Sequence, residues 1–268
     1  MTRRTLLAGS AALGAVAAQE ILQLPPPKAD ARIAYGRDAS QFGEVFLPKT
    51  KPARAVVIFI HGGFWNAEYD LSHAGHLCAA LARAGAAVWS LEYRRVGQPG
   101  GGWPGTFDDI VHGAEFVRQV AGRYSLDLTR LVASGHSAGG HLALWLAAQR
   151  AVDLRGVVPL AGVCDLRRAW ALRLGGGAVT KLLGGSPDEQ GSRYRAADPV
   201  ELLPISVAQR VLHGTEDTVV PFEISQRFAR ASSNAKLTPL QGAGHFELID
   251  PRSAVWKTVE KNILEWPV

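Results

Sequence analysis

Cysteine, methionine and long apolar runs are what this 268-residue chain has least of. It holds two cysteines, Cys78 and Cys164, and one methionine. No disulfide framework can therefore carry the fold, and an apolar core must. Both cysteines sit in apolar sequence and read as small buried hydrophobes, although an exported protein could join them. No apolar stretch reaches the roughly 18 to 20 residues that cross a bilayer, so a stable membrane span is not expected. The excess of charge of one sign is small too. The net charge is +5, two of the positive charges are Arg3 and Arg4, and the remainder is too scattered for a nucleic-acid surface. No internal repeat occurs. No histidine has the partner set of a zinc site, so neither metal nor cofactor is expected, and His73, His76 and His112 read as structural residues on helices.

What the chain does have is 47% hydrophobic and 20% charged residues, enough apolar material for one large α/β domain. Residues 1–18 stand apart. Thr2-Arg3-Arg4-Thr5-Leu6-Leu7, a short Ala/Gly/Leu/Val stretch and Ala15-Val16-Ala17 resemble a twin-arginine export leader with a small-x-small cleavage site. The expectation is a periplasmic or extracellular protein, or a cytoplasmic one if the leader does not function. Residues 19–30, with Pro25-Pro26-Pro27, read as an extended linker, and 31–268 as a single domain.

Within that domain, Ile33 to Leu47 offers short alternating segments for an antiparallel start, with Gly36 and Gly43 as turns. Ala55–Ile60 is a continuous apolar run of the kind buried on both faces of a sheet. A helix is predicted over Ser72–Ala84, a strand over Ala86–Leu91 and a helix over Phe107–Ala121. Strands follow at Leu131 to Ser134, Gly156 to Gly162, Gln209 to Gly214 and Lys236 to Leu240, with helices over about 221–231 and 251–264. Strand and helix alternate, which implies a mostly parallel sheet with helices on both faces and a site beyond the carboxyl ends of the strands. Residues 165–203 break the rhythm with arginines and two glycine clusters, and read as a small cap insertion.

At Gly135-His136-Ser137-Ala138-Gly139-Gly140 a strand meets a helix through small residues. A serine on so tight a turn is strained and lifted clear of the sheet, and the following helix aims its first amides at the same spot. A serine hydroxyl is nearly inert unless an imidazole takes its proton and a carboxylate orients the imidazole. Asp217 and then His245 follow, each after a later strand. Glu216, Glu247 and Asp250 are competing acids, but Glu216 should point away and the other two follow the histidine too closely. His61-Gly62-Gly63-Phe64-Trp65, just after a buried strand, supplies backbone N–H groups for an oxyanion. The candidate donors are the amides of Gly63, Phe64 and Ala138, each worth about 3 to 4 kcal/mol in the transition state.

The pair His61-Gly62-Gly63-Phe64-Trp65 and Gly135-His136-Ser137-Ala138-Gly139-Gly140-His141 resembles the α/β-hydrolase esterases related to kynurenine formamidase and to the bacterial feruloyl/acetyl esterase-like group. The likeness runs on through Leu91-Glu92-Tyr93-Arg94 and Tyr194-Arg195-Ala196-Ala197-Asp198-Pro199. It implies the α/β-hydrolase fold, with Ser137 as nucleophile, Asp217 as orienting acid and His245 as base. His61 and Gly62 would support the oxyanion turn, and Trp65, Tyr93, Trp103 and the cap would line the pocket. The expected substrate is a small-molecule ester with a small or aromatic acyl group, with an aryl amide of the N-formylkynurenine type as the enzymatic alternative. A non-catalytic binding module of the same fold is the alternative from another class. The oligomeric state is left open.

Overall fold

The computed structural model describes residues 20–266; the leader read over residues 1–18 lies outside them. The strands are β1 (Ala31–Ala34), β2 (Phe42–Phe46), β3 (Ala55–Ile60), β4 (Ala86–Leu91), β5 (Leu131–His136), β6 (Gly156–Leu160), β7 (Ala208–Gly214) and β8 (Ala235–Leu240). They form one sheet in the order β1-β2-β4-β3-β5-β6-β7-β8. β1 pairs with β2, and β2 with β4, in antiparallel fashion, and all other pairs are parallel. Strands β3 to β6 are buried throughout, as unalternating apolar runs require when both faces are covered. In β3, Val56, Ile58 and Ile60 enter one core and Ala55, Val57 and Phe59 the other, the two-residue period of a strand. Register brings Leu91, Ile60 and Gly135 level, and His136 level with Leu160, so these strand ends form one rim.

The helices are α1 (Gly75–Arg83), α2 (Gly105–Glu115), α3 (Val117–Tyr124), α4 (Ala138–Gln149), α5 (Leu166–Ala171), α6 (Leu174–Leu183), α7 (Gly191–Ala197), α8 (Glu223–Ala231) and α9 (Trp256–Leu264). Buried residues of α1 and α9 fill one core, and those of α2, α4 and α8 the other. This is the α/β-hydrolase architecture. Cys78 and Cys164 are free and buried in cores on opposite sides of the sheet, so they do not pair. Burial pushes each thiol up to about 12.

Several expectations shift. Gly43 is no turn but a mid-strand residue of β2, where a Cβ would lie 2.4 Å from the Trp89 ring. The helix expected over 107–121 breaks at Phe116, next to where the Trp89 indole N–H donates to the Gly113 carbonyl at 2.8 Å. The first turn of the helix expected from Ser72 is a 3₁₀ turn, Leu71–Ala74. The linker is docked rather than fully extended: Glu20–Gln23 is a 3₁₀ turn with Ile21 buried, and Pro26 lies where a Cβ on Gly75 would be 3.0 Å away.

Between β6 and β7 the chain forms α5, α6 and α7. Helix α6 opens on a left-handed turn through Gly175, Gly176 and Gly177, with φ of 55°, 63° and 81°, a conformation that costs glycine least. A Cβ on Gly175 would lie 2.7 Å from the Phe64 ring, so this segment packs onto the turn after β3. Asp198 closes the segment by accepting the amide of Arg167 at 3.0 Å. Burial pushes its carboxyl up to about 7, against the backbone amides of Leu166 and Arg167, which favour the ionised form. Between about pH 4, the ordinary aspartate value, and that raised value, the folded state holds a proton that the unfolded state has lost. Unfolding free energy therefore falls as pH rises through this window. Asp198→Asn is expected to flatten the decline of Tm between pH 5 and pH 8, and an unchanged slope would assign the decline to other groups.

Candidate active site

Ser137 sits between β5 and α4 with φ 57° and ψ −119°, a backbone conformation that costs a non-glycine residue about 1 to 3 kcal/mol. The surroundings enforce it. Its N–H donates to the Leu160 carbonyl at 2.8 Å, and its carbonyl accepts the amides of His141 and Val163 at 3.2 Å each. The flanking glycines are steric necessities. A Cβ on Gly135 would lie 2.2 Å from the Gly139 carbonyl oxygen, and one on Gly139 would lie 2.0 Å from that of Ile60. Ala138 opens α4 with an N–H that has no intrahelical acceptor.

The turn after β3 packs directly on this elbow. A Cβ on Gly62 would lie 2.9 Å from the His136 carbonyl and 3.1 Å from Ser137 Cβ. Gly63, Phe64 and Trp65 follow with positive φ, 105°, 48° and 57°, and this turns successive amides. Among the described residues, no backbone or side-chain acceptor engages the amides of Gly63, Phe64 or Ala138. The three unengaged donors belong to the elbow and to the turn packed on it, and free amides of this kind are what a developing oxyanion needs.

A buried brace holds that turn. Nδ1 of His61 lies 2.8 Å from the Gly62 carbonyl and Nε2 lies 3.1 Å from Glu92 Oε1. The ring stacks on Tyr93 at 4.5 Å, and the Tyr93 hydroxyl donates to the His61 carbonyl at 3.0 Å. Glu92 also accepts the amides of Tyr93 (2.9 Å) and Leu71 (3.0 Å) and pairs with Arg95. Burial alone would raise the Glu92 carboxyl. The charge and hydrogen bond of His61, together with Arg95, outweigh it and hold the group below its ordinary value. Glu92 is a hub that sequence reasoning passed over, although it stands in the Leu91-Glu92-Tyr93-Arg94 stretch that carried the resemblance.

Asp217 and His245 are brought together. His245 Nδ1 lies 2.6 Å from Asp217 Oδ2. The other carboxylate oxygen, Oδ1, accepts the amides of Val219 and Val220 at 2.8 Å each. His213 is a second histidine on the same carboxylate, with Nε2 3.2 Å from Oδ2. The same Nε2 lies 2.8 Å from the Val220 carbonyl, which fixes a proton there, and Nδ1 faces the Ser225 hydroxyl at 2.7 Å. Burial opposes ionisation of Asp217, but hydrogen bonds from His213 and His245 hold the carboxyl far below the usual range. With Nδ1–H committed to Asp217, the basic nitrogen of His245 is Nε2. Its ring lies 4.4 Å from that of His136, the residue before Ser137. Of the competing acids, Asp250 pairs with Arg252 instead.

Two of the three expected pocket aromatics do not face a pocket. Trp65 and Tyr93 have no accessible surface (0% each): the positive φ of Trp65 turns its side chain inward against His141, and Tyr93 is spent on the His61 brace. Trp103 is half-buried, and its amide donates to the Leu182 carbonyl at the end of α6. Tyr69, by contrast, is 45% exposed, and its Cβ would lie 2.4 Å from a Cβ on Gly63. It packs on the turn after β3, and nothing in its local sequence marked it. Among the described residues no group of three or more His, Cys, Asp or Glu side chains could hold a metal ion.

Fold and site together define an α/β-hydrolase domain with a strained serine on its elbow and an Asp–His pair against the residue before that serine. The family model BD-FAE matches residues 44–231, and the chain belongs to that family. A probable isoprenylcysteine alpha-carbonyl methylesterase of Oryza sativa subsp. japonica is 27% identical over 250 residues, covering 81% of this chain and 58% of that protein. Neutral cholesterol ester hydrolase 1 of Rattus norvegicus is 37% identical over 103 residues, 37% of this chain and 25% of the rat protein. The chain thus spans only part of these relatives. Among solved structures, a truncated carbohydrate esterase from gut microbiota superposes with a TM-score of 0.74 at 21% identity, over 90% of this chain and 98% of that one. Esterase 2 of Thermogutta terrifontis, phosphonylated by sarin, gives 0.70 at 21% identity, over 88% of this chain and 94% of that one. At such identities these two show the shared fold.

Proposed function

We propose that the protein hydrolyses carboxylic esters of small or aromatic acids through an acyl-enzyme on Ser137. The observation that carries this reading is the 2.6 Å contact between Asp217 and His245 Nδ1, which leaves Nε2 basic on a ring 4.4 Å from that of His136, the residue before the strained Ser137. Ser137 Oγ attacks the ester carbonyl carbon as His245 Nε2 takes its proton. The resulting oxyanion is held by the amides of Gly63, Phe64 and Ala138, and Asp217 stabilises the imidazolium. His245 then protonates the leaving alcohol oxygen, the C–O bond breaks and the acyl group remains on Ser137. Water, deprotonated by His245, repeats the attack and releases the carboxylic acid and the free serine. Relatives described as ester hydrolases support the reading.

An aryl formamide is the rival substrate, cleaved by the same steps with an arylamine leaving. The ester is favoured because the similar curated proteins are described as a methylesterase and a cholesterol ester hydrolase. Steady-state kcat/KM for p-nitrophenyl acetate is expected to exceed that for N-formylkynurenine by at least about tenfold, a difference of about 1.4 kcal/mol in transition-state binding. The reverse preference would make the protein an arylformamidase. Turnover of neither would favour a binding module.

A further inference from the structure

The residue before the nucleophile is itself a histidine, and the mechanism above does not use it. His136 is fully buried. Its Nε2 lies 3.0 Å from the backbone carbonyl of His245. A carbonyl oxygen only accepts, so Nε2 carries a proton, and in the neutral ring Nδ1 is a lone pair. That lone pair lies 2.9 Å from His73 Nε2, which must then be the donor. Nδ1 of His73 is left unprotonated, and it is buried without a partner among the described residues. The direction of each bond is thereby fixed by the carbonyl at the end of the chain. His73 is itself anchored, since it lies on the 3₁₀ turn Leu71–Ala74, whose first amide is held by Glu92, the same carboxylate that braces the oxyanion turn.

We propose that His73 and His136 are positioning residues, a neutral strut running from His73 Nε2–H to His136 Nδ1 and from His136 Nε2–H to the His245 carbonyl. The strut fixes the backbone of the base while Asp217 fixes its ring. The catalytic consequence rests on the Ser137–His245–Asp217 reading. His245 follows the turn Gly242-Ala243-Gly244, with φ of 72° at Gly242 and Ala243 as its one side chain, buried in the core, and the strut holds the first residue beyond that anchor. Neutrality matters as much as distance. The His136 ring centroid is 4.4 Å from that of His245, which becomes an imidazolium during reaction, and a charged His136 would oppose it. The ionisable groups facing His136 are His245, His73 and Asp217, and those facing His73 are His61, His245 and Asp70. Burial, aided by the neighbouring histidines, holds both rings neutral, His73 down to about 3.

The test compares His73→Leu with His73→Gln, whose side-chain amide can offer an N–H to His136 Nδ1. On p-nitrophenyl acetate, His73→Leu is expected to lower kcat about 10- to 100-fold, the cost of a slightly misplaced base, with KM nearly unchanged. His73→Gln is expected to restore kcat to within a few-fold of wild type. Equal losses in both variants, a wild-type kcat in His73→Leu, or a loss confined to KM would each overturn the proposal. A second measurement is independent of turnover. In ¹⁵N-labelled full-length protein, long-range ¹H–¹⁵N spectra should show His136 as the neutral Nε2–H tautomer from pH 8 to pH 5. A protonated ring or the Nδ1–H tautomer in that range would refute the strut. That tautomer seen in a protein that cleaves no ester would leave the strut standing and the esterase reading refuted.

Discussion

Ser137→Ala is expected to lower kcat for ester hydrolysis by about 10⁴- to 10⁶-fold, the range seen when a triad nucleophile is removed, with the residual rate carried by the oxyanion donors and binding. The fold should survive. The Ser137 backbone is held by Leu160, His141 and Val163 and not by its hydroxyl, and alanine meets the same φ of 57° at the same cost. Tm within about 3 °C of wild type, with activity gone, is the expected pair of readings. Loss of less than about a hundredfold would place the chemistry on another group.

Asp217→Asn is expected to be nearly as damaging, about 10³- to 10⁴-fold in kcat, and the reason lies in which way the amide must point. Oδ1 accepts the Val219 and Val220 amides, so the single oxygen of asparagine goes there and its NH₂ faces His245 and His213. A donor opposite His245 Nδ1 favours the tautomer with the proton on Nε2, which cannot take a proton from Ser137. His213 cannot adapt in the same way, because its Nε2–H is also committed to the Val220 carbonyl. The clash of two buried donors costs about 1 to 3 kcal/mol. Asp217→Asn should therefore lose thermal stability as well as activity, whereas Ser137→Ala should lose activity alone. A variant within tenfold of the wild-type kcat would show that the carboxylate does not orient the base.

Much of this was legible from residue order. Unalternating apolar runs marked β3 to β6, because a strand covered on both faces has no polar positions to spare. The small residues around Ser137 marked the elbow for a reason now given in distances, since any Cβ at Gly135 or Gly139 meets a carbonyl. The order Ser137, Asp217, His245 pointed to a cluster whose last two members are in contact. What stayed hidden depended mostly on neighbours distant in sequence. Gly43 looked like a turn because the Trp89 ring that needs its bare face lies 46 positions away. Trp65 and Tyr93 looked like pocket walls because aromatic residues beside a site suit that role, and only the positive φ of Trp65 and the stacking of Tyr93 on His61 turn them inward. Glu92, His136 and His213 were invisible as a set. Glu92 and His136 take their meaning from partners far along the chain, His61 and Leu71 and the His245 carbonyl, and His213 takes its meaning from Asp217, four residues on in the turn after β7.

The most direct test of the central claim is covalent capture at Ser137. Incubation with a fluorophosphonate, followed by intact-mass and peptide mass spectrometry, is expected to show one adduct per chain on the peptide containing Ser137. Ser137→Ala should show none, and Asp217→Asn should label far more slowly than wild type. An adduct elsewhere, or a wild-type protein that takes up no reagent, would contradict an activated serine at this site.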